Sequence, residues 1–215
     1  VLHSGIYYKP GSYKAKNCVD GRREMVAFAK EHKIGHDICG KLIVATQERE
    51  LAHMEKVYQH GLQNGVEDMR MVGPEDIKEI EPFCTGIKGI HVGCTGIIDF
   101  PAVCEVLSRL IRENFNGSEV KCGHEVLDFE KSEESTTIIT NKGKFNTRYI
   151  VNCSGLQSDR IAKKDKLNPD MKIVGFRGDY YELTDQAQHK VKHLIYPVPD
   201  PQFPFLGVHF TRMIG

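Results

Sequence analysis

The chain has no excess of either charge. Lys plus Arg number 29 and Asp plus Glu number 29 among 215 residues. Nothing in that balance points to nucleic acid or to an anionic membrane as a partner. No apolar run approaches the roughly 20 residues that a membrane-spanning helix needs. The first residues also lack the basic-then-apolar layout of a signal peptide. No C-x-x-C pair occurs. Seven cysteines (18, 39, 84, 94, 104, 122 and 153) stand apart and in odd number. That argues against a disulfide framework and for thiols in a reducing compartment, with the apolar neighbours of Cys104 and Cys153 predicting burial. His91-x-x-Cys94 and His36-x-x-Cys39 lack second pairs at finger spacing, so no metal site is expected. Internal repeats and low-complexity segments are absent too. A globular domain or two with real cores is what remains.

What is present reads as alternating elements. Ala15, Cys18, Val19, Met25, Val26 and Ala29 recur at helical spacing and predict a helix from Tyr13 to about His32. Cys39 to Thr46 reads as a buried strand rich in β-branched residues. A second helix is expected over about Glu48 to Gln63, capped by Asn64-Gly65. Gly73-Pro74-Glu75-Asp76 starts a short third helix. Gly86 to Gly96 predicts strands with a tight turn. Asp99 caps a fourth helix, Phe100 to about Asn114, with Val103, Val106, Leu107, Leu110 and Ile111 facing inward. Short β segments follow at 118–121, 125–129, 136–140 and 144–147, with a hairpin turn at Asn141-Lys142-Gly143. Tyr149 to Cys153 reads as a fully buried strand that runs through Ser154-Gly155 into a helix, an arrangement that presents backbone N–H groups to phosphate. Residues 173–183, 194–197 and 205–211 read as β-like. The prolines of Pro197-Val198-Pro199-Asp200-Pro201 restrict that region to an edge or a connector.

Three places combine polar groups with glycines that permit close approach: His3-Ser4-Gly5, Phe176-Arg177-Gly178-Asp179-Tyr180, and Tyr196 with Gly207-Val208-His209. Arginine grips a carboxylate through two parallel hydrogen bonds. Histidine can take a hydroxyl proton near neutral pH. Each has a plainer alternative. Arg177 could pair with Asp179 or Glu182, His209 could be an ordinary half-buried strand residue, and Tyr7, Tyr8, Tyr180 and Tyr181 could be core and rim aromatics.

Six stretches decide between these. They are Val1-Leu2-His3-Ser4-Gly5-Ile6-Tyr7-Tyr8, Cys39-Gly40-Lys41-Leu42-Ile43-Val44-Ala45, Thr95-Gly96-Ile97-Ile98-Asp99, Asn152-Cys153-Ser154-Gly155-Leu156-Gln157-Ser158-Asp159-Arg160, Phe176-Arg177-Gly178-Asp179-Tyr180, and Ile195-Tyr196-Pro197-Val198-Pro199-Asp200-Pro201 through Phe203–Phe210. Together they resemble the D-amino-acid-oxidase-like (glycine oxidase-type) superfamily of FAD-dependent enzymes, and more narrowly its members that oxidise L-2-hydroxyglutarate. The resemblance implies a fold of class α/β plus α+β, a partial FAD-binding Rossmann-like domain with an antiparallel-sheet substrate domain. Residues 1–30 and 95–165 would form the first and residues 31–94 and 166–215 the second.

The implied reaction is hydride transfer from a small 2-hydroxy acid to FAD, giving 2-oxoglutarate from L-2-hydroxyglutarate. Electrons then pass to oxygen, a quinone or an electron-transfer protein. Amine-oxidising (glycine/sarcosine-type) and glycerol-3-phosphate-oxidising members are the alternatives, as is a fragment without cofactor. The resemblance puts Ser4 and Gly5 against the flavin, Ser154 and Gly155 along the FAD phosphates, and Arg177, Tyr196 and Tyr7 on the substrate. His209 and His3 are the catalytic candidates, with His209 preferred as base and His3 facing the flavin. One departure bears on all of this. The family's G-x-G-x-x-G pyrophosphate fingerprint occurs nowhere in the sequence. The chain is therefore expected to be a central piece that by itself binds FAD weakly or not at all.

Overall fold

A computed structural model of the protein describes residues 1–202 and 207–214. In chain order its elements are α1 (Tyr13–Glu31), β1 (His36–Asp37), β2 (Lys41–Ala45), α2 (Glu48–Gln63), β3 (Met69–Val72), α3 (Pro74–Ile80), β4 (Lys88–Val92), β5 (Ile97–Ile98), α4 (Phe100–Asn114), β6 (Val126–Lys131), β7 (Thr136–Thr140), β8 (Gly143–Thr147), α5 (Ser158–Lys164) and β9 (Leu194–Pro197). They fall into two compact units, Val1–Leu110 with Leu183–Gly215, and Ile111–Glu182.

The first unit is built around β2, whose five residues are all buried. Apolar residues on both parities of a strand demand cover on both faces, and β2 receives it. The sheet order is β3-β4-β2-β9, with β2 antiparallel to β4 and parallel to β9. Ile43 and Ala45 join Ile90, Val92, Leu194 and Tyr196 in one core, which Ile6, Val19, Met54 and Val57 complete from the opening segment, α1 and α2. Leu42 and Val44 face the other way, with Val72 and Ile77. A third cluster joins Leu2, Ala29, Ile34, Ile98 and Val103. Strand β9 lies at the sheet edge, where the donor that Pro197 lacks is not missed.

Local chemistry sets the boundaries. Ser12 Oγ accepts the Ala15 N–H at 3.2 Å to start α1. Glu50 accepts from the backbone of Thr46 (2.7 Å) and Gln47 (3.1 Å) to start α2. Asn64 then caps α2, with Gly65 following at φ +69°. Asp76 accepts the Gly73 N–H at 2.9 Å at α3, and Asp99 the Ala102 N–H at 3.0 Å at α4. At Gly96 the β1–β5 crossing leaves no room for a side chain. A Cβ there would run into the Asp37 carbonyl.

The second unit is the antiparallel meander β6-β7-β8 with α5. Lys164 Nζ donates to the Leu127 carbonyl at 2.6 Å, and Lys131 pairs with Asp165 at 2.9 Å. Several expectations are corrected here. Tyr149 to Cys153 forms no strand and is not buried. Tyr149 is 87 % and Val151 85 % exposed. Residues 118–121 and 173–183 likewise lack strand structure. In 149–153 and 173–183, β-branched or aromatic composition has no strand to pair with among the described residues, and β propensity is realised only through a neighbouring strand. Cys104 and Cys153 are exposed, not buried. In α4, Leu107 and Ile111 are exposed, because the cluster that covers the helix ends at Val103 and Val106. The expected strand over 205–211 partly lies outside the described residues, as do Phe203 to Leu206 of the motif. Phe210 forms an isolated bridge to Ile195.

The two packing units follow different boundaries from the cofactor and substrate domains implied by the resemblance. The latter division concerns where ligands would lie, and it is taken up below. No described helix is long and apolar enough to cross a membrane.

Candidate functional site

Strand register places a lysine in the core of the first unit. Lys41 pairs with Leu194 and Ile43 with Tyr196. Lys41 and Tyr196 are therefore diagonal neighbours on one sheet face, the face covered by the opening segment. Lys41 is 0 % exposed, and its Nζ has no hydrogen-bond partner among the described residues. What the ammonium meets instead is two aromatic rings, that of Tyr196 at 4.1 Å and that of Tyr7 at 5.5 Å from their centroids. Ring faces carry negative electrostatic potential and attract a cation. Burial pulls the Lys41 ammonium down to about 8, against smaller opposing effects of Cys18 and Cys94.

The opening segment is pinned on this face. The Leu2 N–H donates to the Gly96 carbonyl at 2.7 Å, and the Gly96 N–H returns the bond at 3.2 Å. Gly5 turns at φ +88°, and a Cβ there would press to 3.1 Å from Val19 of α1. Its close approach within the chain is thus to a helix. Asn64, at the end of α2, donates to the carbonyls of Gly5 (3.0 Å) and Tyr8 (2.9 Å), holding the loop at two points. Replacing Asn64 with Ala should cost about 1–3 kcal/mol, since two carbonyls lose their donor. A melting curve indistinguishable from wild type would show that the clamp is not needed. Ser4 is buried with its Oγ unpartnered, and the Tyr7 hydroxyl is buried and unpartnered as well. Burial, reinforced by Tyr196, drives the Tyr7 phenol upward, so it stays protonated.

Two histidines complete the cluster. The His209 ring lies 4.5 Å from that of Tyr196 at 39°, and its Nδ1 is 3.0 Å from the Gly207 carbonyl. His3 is pushed down to about 4, first by desolvation and then by the charges of Lys41, the N-terminal amine and His209. At neutral pH it is an uncharged imidazole, able to accept a proton.

A second buried group fixes the entry to β9. Glu81 is 0 % exposed. Its Oε1 accepts the backbone N–H groups of Lys192 (2.9 Å) and His193 (2.5 Å) and lies 2.8 Å from His193 Nδ1. Arg212 adds bonds to Asp37 Oδ2 (2.8 Å) and the Lys192 carbonyl (3.2 Å). Three residues after His193, β9 delivers Tyr196.

The first unit therefore brings together His3, Ser4, Gly5, Tyr7, Tyr196 and His209. Arg177, Ser154 and Gly155 belong to the second unit. The Arg177 side chain is 88 % exposed, and its Nε donates to Asp179 Oδ1 at 2.8 Å, the first of the two pairings left open by the sequence. Ser154 donates through both N and Oγ to Asn152 Oδ1, at 3.2 and 2.7 Å. Gly155 turns at φ +55° with open space where a Cβ would stand. Among the described residues no three His, Cys, Asp or Glu side chains converge as metal ligands would. Sequence reasoning missed Lys41, Asn64 and Glu81. Lys41 left a signal, a lone cation opening the apolar run Leu42-Ile43-Val44-Ala45. Asn64 was read only as a helix cap.

L-2-hydroxyglutarate dehydrogenase of Indibacter alkaliphilus is 45 % identical over the whole chain, which spans 53 % of that protein. The human mitochondrial L-2-hydroxyglutarate dehydrogenase is 43 % identical, with 100 % of this chain and 49 % of that protein covered. For the enzyme of that name from Escherichia coli K12 the figures are 37 %, 100 % and 50 %. The chain thus spans about half the length of the curated relatives it matches. Among solved structures, the FAD-bound, dithionite-reduced L-α-glycerophosphate oxidase of Mycoplasma pneumoniae superposes with a TM-score of 0.76 at 21 % identity, over 99 % of this chain and 56 % of that one. Glycine oxidase of Geobacillus kaustophilus gives 0.68 at 20 % identity, over 78 % and 46 %. These two share the fold. The sequence profile of the DAO family, FAD-dependent oxidoreductases, matches residues 1–215, and the chain belongs to that family.

Proposed function

We propose that the chain is part of an FAD-dependent oxidoreductase that converts L-2-hydroxyglutarate to 2-oxoglutarate. The observation that carries this reading is the match to L-2-hydroxyglutarate dehydrogenases along the whole chain, at up to 45 % identity. The cluster in the first unit fits a bound group. Ser4 Oγ and the Tyr7 hydroxyl are buried polar atoms without partners among the described residues, and such atoms ordinarily have them. Hydroxyl donors of this kind suit a ligand rich in acceptor oxygens and nitrogens. Ser4 and Gly5 would hold the flavin ring, and Ser154 and Gly155 the FAD phosphates. The domain division is then 1–30 with 95–165 around the cofactor, and 31–94 with 166–215 around the substrate.

When bound, FAD would supply the acceptor for the C2 hydride, with oxygen, a quinone or an electron-transfer protein as the final acceptor. His209 takes the hydroxyl proton as the C–O bond becomes a carbonyl. His3, uncharged at neutral pH, faces the cofactor. Tyr7, Tyr196 and Arg177 hold and orient the substrate, Arg177 by releasing Asp179 for a carboxylate. The experiment is a steady-state comparison of the full-length protein with L-2-hydroxyglutarate, glycine and glycerol 3-phosphate. Turnover of the hydroxy acid is expected to exceed the others. Turnover of an amine with none of the hydroxy acid would reject the assignment.

A further inference from the structure

Lys41 is the feature of the molecule that its fold explains least. Taking an ammonium out of water costs several kcal/mol unless ion pairs and hydrogen bonds compensate. Lys41 has no hydrogen-bond partner, and no acidic side chain is among the groups that perturb it. A long side chain can bury its stem and reach water with its head, but the Lys41 head stays under the Tyr196 ring. Methionine would fill the same space and meet the same rings without the desolvation cost. Packing alone thus gives no reason for a charge at this position. The surroundings do. Tyr196 carries His209 at 4.5 Å between ring centroids, and Lys41 and His209 both act on His3 by charge.

We infer that Lys41 is a positioning residue of the proposed site. Its buried ammonium anchors the Tyr196 ring and the His209 ring that lies on it, and its charge acts on the neighbouring His3. The inference rests on the proposed oxidation for its meaning and on the geometry of Lys41, Tyr7, Tyr196, His209 and His3 for its content. The charged and titratable side chains facing His3 are Lys41, His209 and Cys18, whose Sγ lies 3.4 Å from the His3 carbonyl. Those facing Lys41 are His3, Cys18 and Cys94, with the two tyrosines.

The sign of the effect follows directly. A positive charge disfavours imidazolium, so removing it raises the His3 midpoint. Desolvation is the larger cause and remains, so the midpoint does not return fully to 6.5. In the full-length protein, Lys41→Met is expected to raise the His3 midpoint by about one unit, within the range that a nearby charge imposes. Histidine ring NMR reads this without turnover. Lys41→Arg, which keeps the charge, should leave the midpoint near its wild-type value.

The melting temperature of Lys41→Met should stay level or rise by a few degrees, of order 2–6 °C, as for other buried ions replaced by hydrophobes. Turnover with L-2-hydroxyglutarate should nonetheless fall about 10- to 100-fold through misplacement of the rings. The acid limb of its pH profile should move to higher pH, with flavin content unchanged. A His3 midpoint unmoved in Lys41→Met would overturn the inference. So would a variant that melts well below wild type or does not fold, for then the lysine is structural. Failure of the wild type itself to oxidise L-2-hydroxyglutarate would strike the proposed function, while the titration and melting results still judge Lys41.

Discussion

In the full-length protein, His209→Asn should lower kcat for L-2-hydroxyglutarate about 10²- to 10⁴-fold, the range that one positioned proton acceptor contributes. Flavin content and melting temperature should hold. Asparagine approximates the shape of the ring's first atoms and can still bond the Gly207 carbonyl, which lies 3.0 Å from His209 Nδ1. What it lacks is a nitrogen that can take up a proton. His209 is well placed for that part because its ring rests on Tyr196, and Tyr196 is set by the register of β9 against β2. A variant with wild-type turnover would remove His209 from proton transfer and leave His3 as the candidate. In that event His3→Asn should show the large loss instead.

The second large effect is on stability. Glu81→Ala should cost about 3–5 kcal/mol, as expected when a buried acceptor serving several neighbouring groups is removed. The backbone N–H groups of Lys192 and His193 and the His193 ring would all lose their acceptor. These bonds tie the end of α3 to the residues that lead into β9, more than a hundred positions away in sequence. The loss should therefore reach the site, loosening Tyr196 along with the strand that carries it. Glu81→Gln keeps an acceptor oxygen and should be milder. Urea unfolding of the three proteins measures the difference directly. An alanine variant as stable as wild type would mean that the loop before β9 is held by other contacts.

Much of the first unit was legible because its signals are local. Pro74, Asp76 and Asp99 are helix-start chemistry, and each stands where a helix begins. Asn64-Gly65 ends α2 as capping rules require. The prolines from 197 onward left an edge or a connector, and β9 is at an edge. The misreadings came where local composition needs a distant partner. Tyr149 to Val151 has strand composition and no strand beside it among the described residues. In α4 the apolar face is longer than the cluster that covers it, so Leu107 and Ile111 stay exposed.

The site divides in the same way. His3, Tyr7, Tyr196 and His209 were visible as residue types suited to proton transfer and ring packing. Lys41 was not, because only strand register shows that it sits diagonal to Tyr196 on the buried face. Glu81 was invisible for a like reason. Its partners are Lys192 and His193, and no spacing rule links positions so far apart.

The proposed function stands on reduction of a bound flavin by L-2-hydroxyglutarate. The most direct measurement is anaerobic mixing of the full-length, FAD-loaded protein with L-2-hydroxyglutarate, followed at the absorption band of oxidised flavin. The account predicts that the band bleaches and that 2-oxoglutarate appears in stoichiometric amount. A flavin that stays oxidised with this acid, yet is reduced by glycine, sarcosine or glycerol 3-phosphate, would contradict it.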